Sequence, residues 1–112
     1  MKPVRLIVET DTAGDDVSSL LIALRHPHAQ LEAITICCGN VRFEQEIENA
    51  LYTVEMAGRS GEVPVYAGCS APLEAEWVGA EYVHGQDGMG DSFFPQARER
   101  PEAAHEIGRA HV

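Results

Sequence analysis

The sequence predicts an α/β protein with a Rossmann-like three-layer fold and a mostly parallel sheet, here in its N-terminal β-α-β-α-β part. Short apolar runs rich in β-branched residues alternate with amphipathic segments of helical period. This alternation is typical of parallel strands joined by crossover helices, for which right-handed connections are the rule. The chain has 112 residues, enough for one small domain with a modest core.

The first strand is predicted at Val4 to Val8, a run interrupted only by Arg5. In the helix that follows, apolar residues recur at helical spacing on the face expected to be buried: Val17, Leu20, Leu21 and Leu24. That helix is expected to end at His26-Pro27-His28, because proline disfavours helical conformation in the residue before it.

A second strand is predicted at Leu31 to Cys38, followed by Gly39-Asn40 and by a helix from about Phe43 to Ala57. The buried face of this helix is expected to comprise Ile47, Ala50, Leu51 and Val54. Its glutamates are expected to form a solvated surface, namely Glu44, Glu46, Glu48 and Glu55. A short third strand is predicted at Val63 to Ala67.

Beyond the third strand the regular pattern stops. Residues 69–94 form a long Gly-rich segment, and a loop of that length in a compact domain is usually functional or disordered. Pro101 to His105 is typical of the opening turn of a further helix, with proline at its first position.

Composition excludes several classes of partner. The formal net charge is −10 and the basic residues are scattered, so a nucleic-acid polymer is not an expected partner. No segment approaches the roughly 20 apolar residues of a membrane span, and no signal peptide is evident. Three cysteines without a C-x-x-C spacing do not predict a disulfide framework. The expected location is therefore the cytoplasm.

The most informative segment is Glu9 to Asp16, which places four acidic side chains between the first strand and the first helix. Carboxylates at the carboxyl end of a parallel strand lie where open α/β sheets bind ligands. Crowded like charges there are costly unless a cation offsets them. A hard divalent cation with oxygen ligands is the simplest candidate, and calcium or magnesium fits better than zinc.

Four elements together resemble the inosine–uridine-preferring nucleoside hydrolases: Glu9 to Asp16, Gly39-Asn40, Val65 to Gly68, and His84 to Gly90. Each motif alone is weak, but their order and spacing agree over nearly the whole chain. The resemblance implies hydrolysis of the N-glycosidic bond of a ribonucleoside to ribose and free base, with a calcium ion as cofactor. It also implies a homo-oligomeric full-length parent.

The resemblance implies a role for each matching residue. Asp11 would be a metal ligand and the general base for the attacking water, and Asp16 a second metal ligand. Asp15 would bind the ribose hydroxyls, and Asn40 would line the ribose pocket and help to hold Asp11. His84 would lie on a mobile loop at the nucleobase side.

The sequence departs from the family pattern at two places. Glu9 stands where the family more often has Asp, and Thr12-Ala13-Gly14 replaces the commoner Pro-Gly-hydrophobic turn. A glycine is still present in the turn, so the tight geometry is expected to be feasible.

Two other functions stay open at this point. Asp-x-Asp after a first strand also opens the haloacid-dehalogenase-like phosphatases, which use magnesium, but the nucleophile position would be Glu9. The acidic cluster would alternatively serve a non-catalytic calcium-binding module. Purine versus pyrimidine preference is not predicted.

Family members are several hundred residues long, so residues 1–105 are expected to be the N-terminal part of such a domain, inactive by itself. Residues Ile107 to Val112 correspond to a translation of a common sequencing adapter up to its stop codon, and Glu106 fits the preceding bases. We therefore expect residues 106–112 to be a non-native tail.

Overall fold

The computed structural model describes residues 2–103 and contains a parallel three-stranded sheet. Its strands are β1 (Val4–Thr10), β2 (Ala29–Ile36) and β3 (Val65–Ala67), and they lie in the order β1-β2-β3. The connecting helices are α1 (Gly14–Arg25) and α2 (Phe43–Met56). The predicted α/β class and the β-α-β-α-β order are confirmed.

Helices α1 and α2 pack against each other and against one face of the sheet. The shared core contains apolar residues from both helices and from β2 and β3, namely Leu20, Leu24, Ile34, Ile36, Ala50, Leu51, Val54 and Val65. Leu6 and Val8 of β1 pack against this core, whereas Ile7 between them is half exposed on the other face. This alternation is the period-2 pattern of a strand with one buried face.

The predicted face of α1 is correct at Leu20 and Leu24 but not at Leu21, which is 39% exposed. Successive residues of a helix are rotated by about 100°, so Leu21 lies beside the buried stripe. None of the helices in residues 2–103 is long and apolar enough to cross a membrane.

The register of the sheet brings the carboxyl ends of β1 and β2 level with each other. Thr10 pairs with Ile36, and the Cys37 amide donates to the Thr10 carbonyl over 3.2 Å. The turns that begin at Asp11 and at Gly39 therefore lie at the same edge of the sheet.

The segment after β3 contains one short helix, α3 (Glu81–His84), which the sequence did not predict. The predicted helix opening at Pro101 is wrong for the described residues, since Glu102 forms a parallel bridge with Tyr66. The Glu102 amide donates to the Val65 carbonyl over 2.7 Å, so this edge of β3 gains a hydrogen bond that a helix would not supply. The expected non-native tail, 106–112, lies outside the described residues.

Candidate active site

The turn between β1 and α1 carries the first acid of the site. Asp11 is half-buried directly after β1, and the next residue, Thr12, is fully buried with a φ of 27°. The Thr12 amide donates to the Thr10 hydroxyl oxygen over 3.1 Å. The positive φ of this turn lies at Thr12 and not at Gly14. Backbone strain of about 1–3 kcal/mol is typical of such positions and is often found at functional sites.

The second acid, Asp16, lies in the first turn of α1 and turns back towards Asp11. Its Oδ2 accepts a hydrogen bond of 3.2 Å from the Ala13 amide, which helps to cap the helix. Partial burial raises the pKa of Asp16, and the neighbouring Asp11 carboxylate raises it further. The two carboxylates are therefore close enough to repel each other, and a bound cation would relieve that repulsion.

The turn after β2 approaches Asp11 from the other side. The Asn40 amide donates to Asp11 Oδ2 over 3.2 Å, and a Cβ added to Gly39 would overlap the Asp11 carboxylate. Glycine at position 39 is therefore required for this close approach. Asn40 lies next to Asp11, and the contact between them is made by the backbone amide of Asn40 rather than by its side chain.

Glu46 is a member of this acidic site that the sequence analysis missed. The expectation of a solvated glutamate is wrong, since Glu46 is 0% exposed. Its Oε1 accepts a hydrogen bond of 3.3 Å from the Val41 amide, while Oε2 is buried without a partner in the described structure. Burial raises the pKa of Glu46 to about 8, and the charges of Asp11 and Asp16 contribute to the rise.

Helical spacing contained a signal for Glu46. The residues three, four and seven positions later are Asn49, Ala50 and Thr53, and all three are buried. Glu46 therefore lies on the buried stripe of α2 rather than opposite it. The residue type, and not the spacing, led to the wrong prediction.

Asn49 connects the Asp11 turn to the glycine-rich loop. Its Nδ2 donates to the Thr12 carbonyl over 3.0 Å and to the Asp87 carbonyl over 2.7 Å. Asn49 is 6% exposed, so both bonds are shielded from water. One side chain thus fixes the strained turn and the loop relative to each other.

Asp87 organises the loop itself. Its carboxylate accepts hydrogen bonds from the backbone amides of Met89, Asp91 and Phe93 over 2.8, 2.9 and 2.6 Å. Burial acts to raise the pKa of Asp87, but these amide bonds outweigh it and lower the pKa below its ordinary value. The loop is therefore ordered by an ionised carboxylate.

Trp77 and Ala80 attach the loop to the Gly39-Asn40 turn. Trp77 Nε1 donates to the Gly39 carbonyl over 2.7 Å, and the Ala80 amide donates to the Asn40 carbonyl. Helix α3 follows directly and ends at His84, which is half-buried. The loop carrying His84 is thus joined to the acidic site through the backbone of that turn.

The structure brings together some of the predicted site residues and separates others. Asp11, Asp16 and Asn40 lie at one edge of the sheet, joined by the contacts described above. Asp15 and Glu9 are exposed, on the first turn of α1 and on β1 respectively. The acidic cluster read from the sequence as four neighbours is therefore a pair, to which buried Glu46 adds a third carboxyl group.

The donor chemistry fits a hard divalent cation, although the described part does not complete a site. The carboxylates of Asp11 and Asp16 offer oxygen ligands and uncompensated negative charge, which calcium and magnesium prefer. Within residues 2–103, no group of three or more histidine, cysteine, aspartate or glutamate residues is placed to hold a metal ion. Calcium takes about 6–8 oxygen ligands, so further ligands would have to come from elsewhere.

A parallel sheet with acidic side chains at the carboxyl ends of adjacent strands defines the class of α/β proteins that bind small ligands at that edge. Residues 6–111 match the family model described as inosine-uridine preferring nucleoside hydrolase. The chain belongs to this family.

Relatives and solved structures agree with the family match. The inosine-uridine preferring nucleoside hydrolase of Leishmania major is 34% identical over 106 residues, which cover 94% of this chain and 33% of the relative. A purine-preferring ribonucleoside hydrolase from Gardnerella vaginalis superposes with a TM-score of 0.87 at 32% identity, covering 96% of this chain and 35% of that structure. A plant nucleoside hydrolase gives a TM-score of 0.85 at 33% identity, with 92% and 33% covered.

The chain spans about a third of the length of the curated relatives it matches. The matched regions include both the Asp11 turn and the His84 loop. None of these matches favours the phosphatase or the calcium-binding-module hypothesis.

Proposed function

We propose that this chain is the N-terminal third of an enzyme that hydrolyses the N-glycosidic bond of ribonucleosides to ribose and free base. The observation that carries the proposal is the pair of neighbouring carboxyl groups of Asp11 and Asp16, at the sheet edge of a chain in the nucleoside hydrolase family. Family membership supports the class of reaction, and the pair of carboxyl groups supports the location of the reaction at this edge of the sheet.

We assign the cation to Asp11 and Asp16, and calcium is the ion we propose. The family is metal-dependent, and a divalent ion, when bound, lowers the pKa of a water molecule and orients it. Asp11 acts as the general base that takes a proton from the attacking water. The amide of Asn40 holds the Asp11 carboxylate in position for that transfer.

The same carboxylates stabilise the transition state electrostatically. Departure of the base leaves positive charge on the sugar, as in other oxocarbenium-like glycosyl transfers. Fixed negative charge beside that centre costs no reorganisation at the moment of reaction. The leaving-group acid is assigned to the part of the protein beyond this chain.

Substrate contacts are assigned to three residues. Asp15 is exposed at the start of α1, where its carboxylate is available to accept hydrogen bonds from ribose hydroxyls. Asn40 lines the ribose pocket beside Asp11. His84 lies at the nucleobase side, on the loop attached by Trp77 and Ala80.

The location and assembly of the enzyme are also proposals. We assign it to the cytoplasm, in keeping with three cysteines of which none forms a disulfide in the described residues. The full-length protein is proposed to be a homo-oligomer. Large apolar side chains on the outer surface of α1 and α2, such as Ile22 at 66% exposure and Met56 at 62%, support a covering partner or further chain.

The test compares the full-length gene product, its Asp11→Asn variant and the 112-residue chain, with release of base from inosine and uridine as the readout. Wild type should cleave at least one nucleoside, whereas Asp11→Asn and the 112-residue chain should not. Glu44→Gln, a change at an exposed position of α2, is the matched control and should retain activity. Full activity of Asp11→Asn, or phosphatase activity without nucleoside cleavage, would contradict the proposal.

A further inference from the structure

The buried carboxyl group of Glu46 has no role in the function proposed above. It projects from α2 into the region where the turns after β1 and β2 meet, and it is 0% exposed. One oxygen accepts the Val41 amide hydrogen bond, and Val41 directly follows Asn40, whose amide binds Asp11. Glu46 thus reaches the same turn that holds Asp11.

The second carboxyl oxygen of Glu46 is not paired in the way that the first is. Oε2 is buried without a hydrogen-bond partner of good geometry in the described structure, although the Gly39 amide lies near enough to act against the rise in the pKa of this carboxyl group. A buried polar atom without a partner costs about 1–3 kcal/mol, and a charged one costs more. An apolar residue of similar volume would avoid this cost, and a glutamine would avoid the part of it that comes from charge.

The surroundings of Glu46 contain negative rather than positive charge. Asp11 and Asp16 are close enough for their charges to act on it, and no basic side chain is recorded as its partner among residues 2–103. Among the described residues, these three acids therefore lie close together with no basic side chain beside them. A bound cation is the group that would make this arrangement favourable.

We propose that Glu46 is a third carboxylate of the cation site, one that acts from outside the direct ligands Asp11 and Asp16. Its Oε2 would accept a hydrogen bond from a water molecule when the cation is bound. The inference rests on the proposed function, since it requires the cation at Asp11 and Asp16. An outer position agrees with the described geometry, in which the three acids do not form a direct three-residue metal site. Outer carboxylates orient the direct ligands and add to metal affinity.

The experiment is calcium titration calorimetry on the full-length wild-type protein and on three variants. Glu46→Gln keeps the acceptor for the Val41 amide but removes the carboxylate, Glu44→Gln is the control on the same helix, and Asp11→Asn removes a direct ligand. The measured quantity is the calcium Kd. Melting in calcium-free buffer is recorded for every protein, to separate a cation role from a purely structural one.

Glu46→Gln should weaken calcium binding about tenfold, with a calcium-free melting temperature equal to or above that of wild type. Glu44→Gln should bind calcium as wild type does. If Glu46→Gln does not fold, Glu46→Leu is used instead and should show the same loss of affinity. An unchanged Kd in the folded Glu46 variant, with calcium still lost in Asp11→Asn, would overturn this inference alone. No calcium binding by wild type would overturn the proposed function and this inference with it.

Discussion

Replacing Glu46 by glutamine should flatten the dependence of folding stability on pH in calcium-free protein. The folded structure raises the pKa of Glu46 from 4.5 to about 8, with burial as the largest cause. In the unfolded chain Glu46 would lose its proton near pH 4.5, and in the folded protein near pH 8. Between these two pH values the folded state therefore binds more protons than the unfolded state. Folding stability therefore falls as pH rises through this window. The stabilising contribution of Glu46 is fully present only below the pKa that its carboxyl group has in the unfolded chain.

The size of the effect follows from the pKa shift. One unit of pH within the window changes the stability contribution of one such group by about 1.4 kcal/mol. Between pH 5.5 and 7.5, Glu46 should therefore lower the free energy of unfolding by about 2–3 kcal/mol. Asp16, whose pKa is also raised, contributes a loss of the same sign that remains in the variant.

The assay is urea denaturation of full-length wild type and Glu46→Gln in EDTA at several pH values across that range. The difference between the two proteins isolates the Glu46 contribution, since the amide of glutamine does not titrate. The free energy of unfolding of Glu46→Gln should increase relative to that of wild type as pH rises. Parallel pH profiles for the two proteins would refute the assignment of a protonated, buried carboxyl group at position 46.

Two further predictions concern the attachment of the glycine-rich loop. Asn49→Leu removes the hydrogen bonds to the Thr12 and Asp87 carbonyls and should lower the free energy of unfolding by about 1–3 kcal/mol. Urea denaturation measures this loss. A loss below 0.5 kcal/mol would contradict the role of Asn49 in joining the Thr12 turn to the loop. Trp77→Phe removes the bond to the Gly39 carbonyl and should cost about 1 kcal/mol while exposing residues 69–94 to protease. An unchanged rate of limited proteolysis in Trp77→Phe would show that this bond does not secure the loop.

The main strands and helices could be predicted from the sequence because the pattern of their apolar residues is strong. The short apolar run of β1 and the helical spacing in α1 and α2 predicted the elements that the structure contains, with ends displaced by a few residues. The short helix α3 and the bridge at Glu102 were missed, since four residues and a single bridge leave no periodic signal. Both depend on contacts with distant parts of the chain.

The site was predictable where residues adjoin strand ends, and not elsewhere. Asp11 and Asn40 follow adjacent parallel strands, so a sheet edge must bring them together. Glu46 lies in the middle of a helix, where a glutamate is usually exposed, and only packing against the Val41 turn reveals its burial. Thr12 shows the same limit, because its positive φ is imposed by the surrounding turn rather than by its residue type.

The cation site at Asp11 and Asp16 is tested by the calcium affinity of full-length Asp16→Asn, measured by calorimetry beside wild type. If Asp16 and Asp11 together bind the cation, wild type should take up calcium and the asparagine variant should lose nearly all of that binding while staying folded. Wild-type affinity in Asp16→Asn would show that these two carboxylates do not form the metal centre.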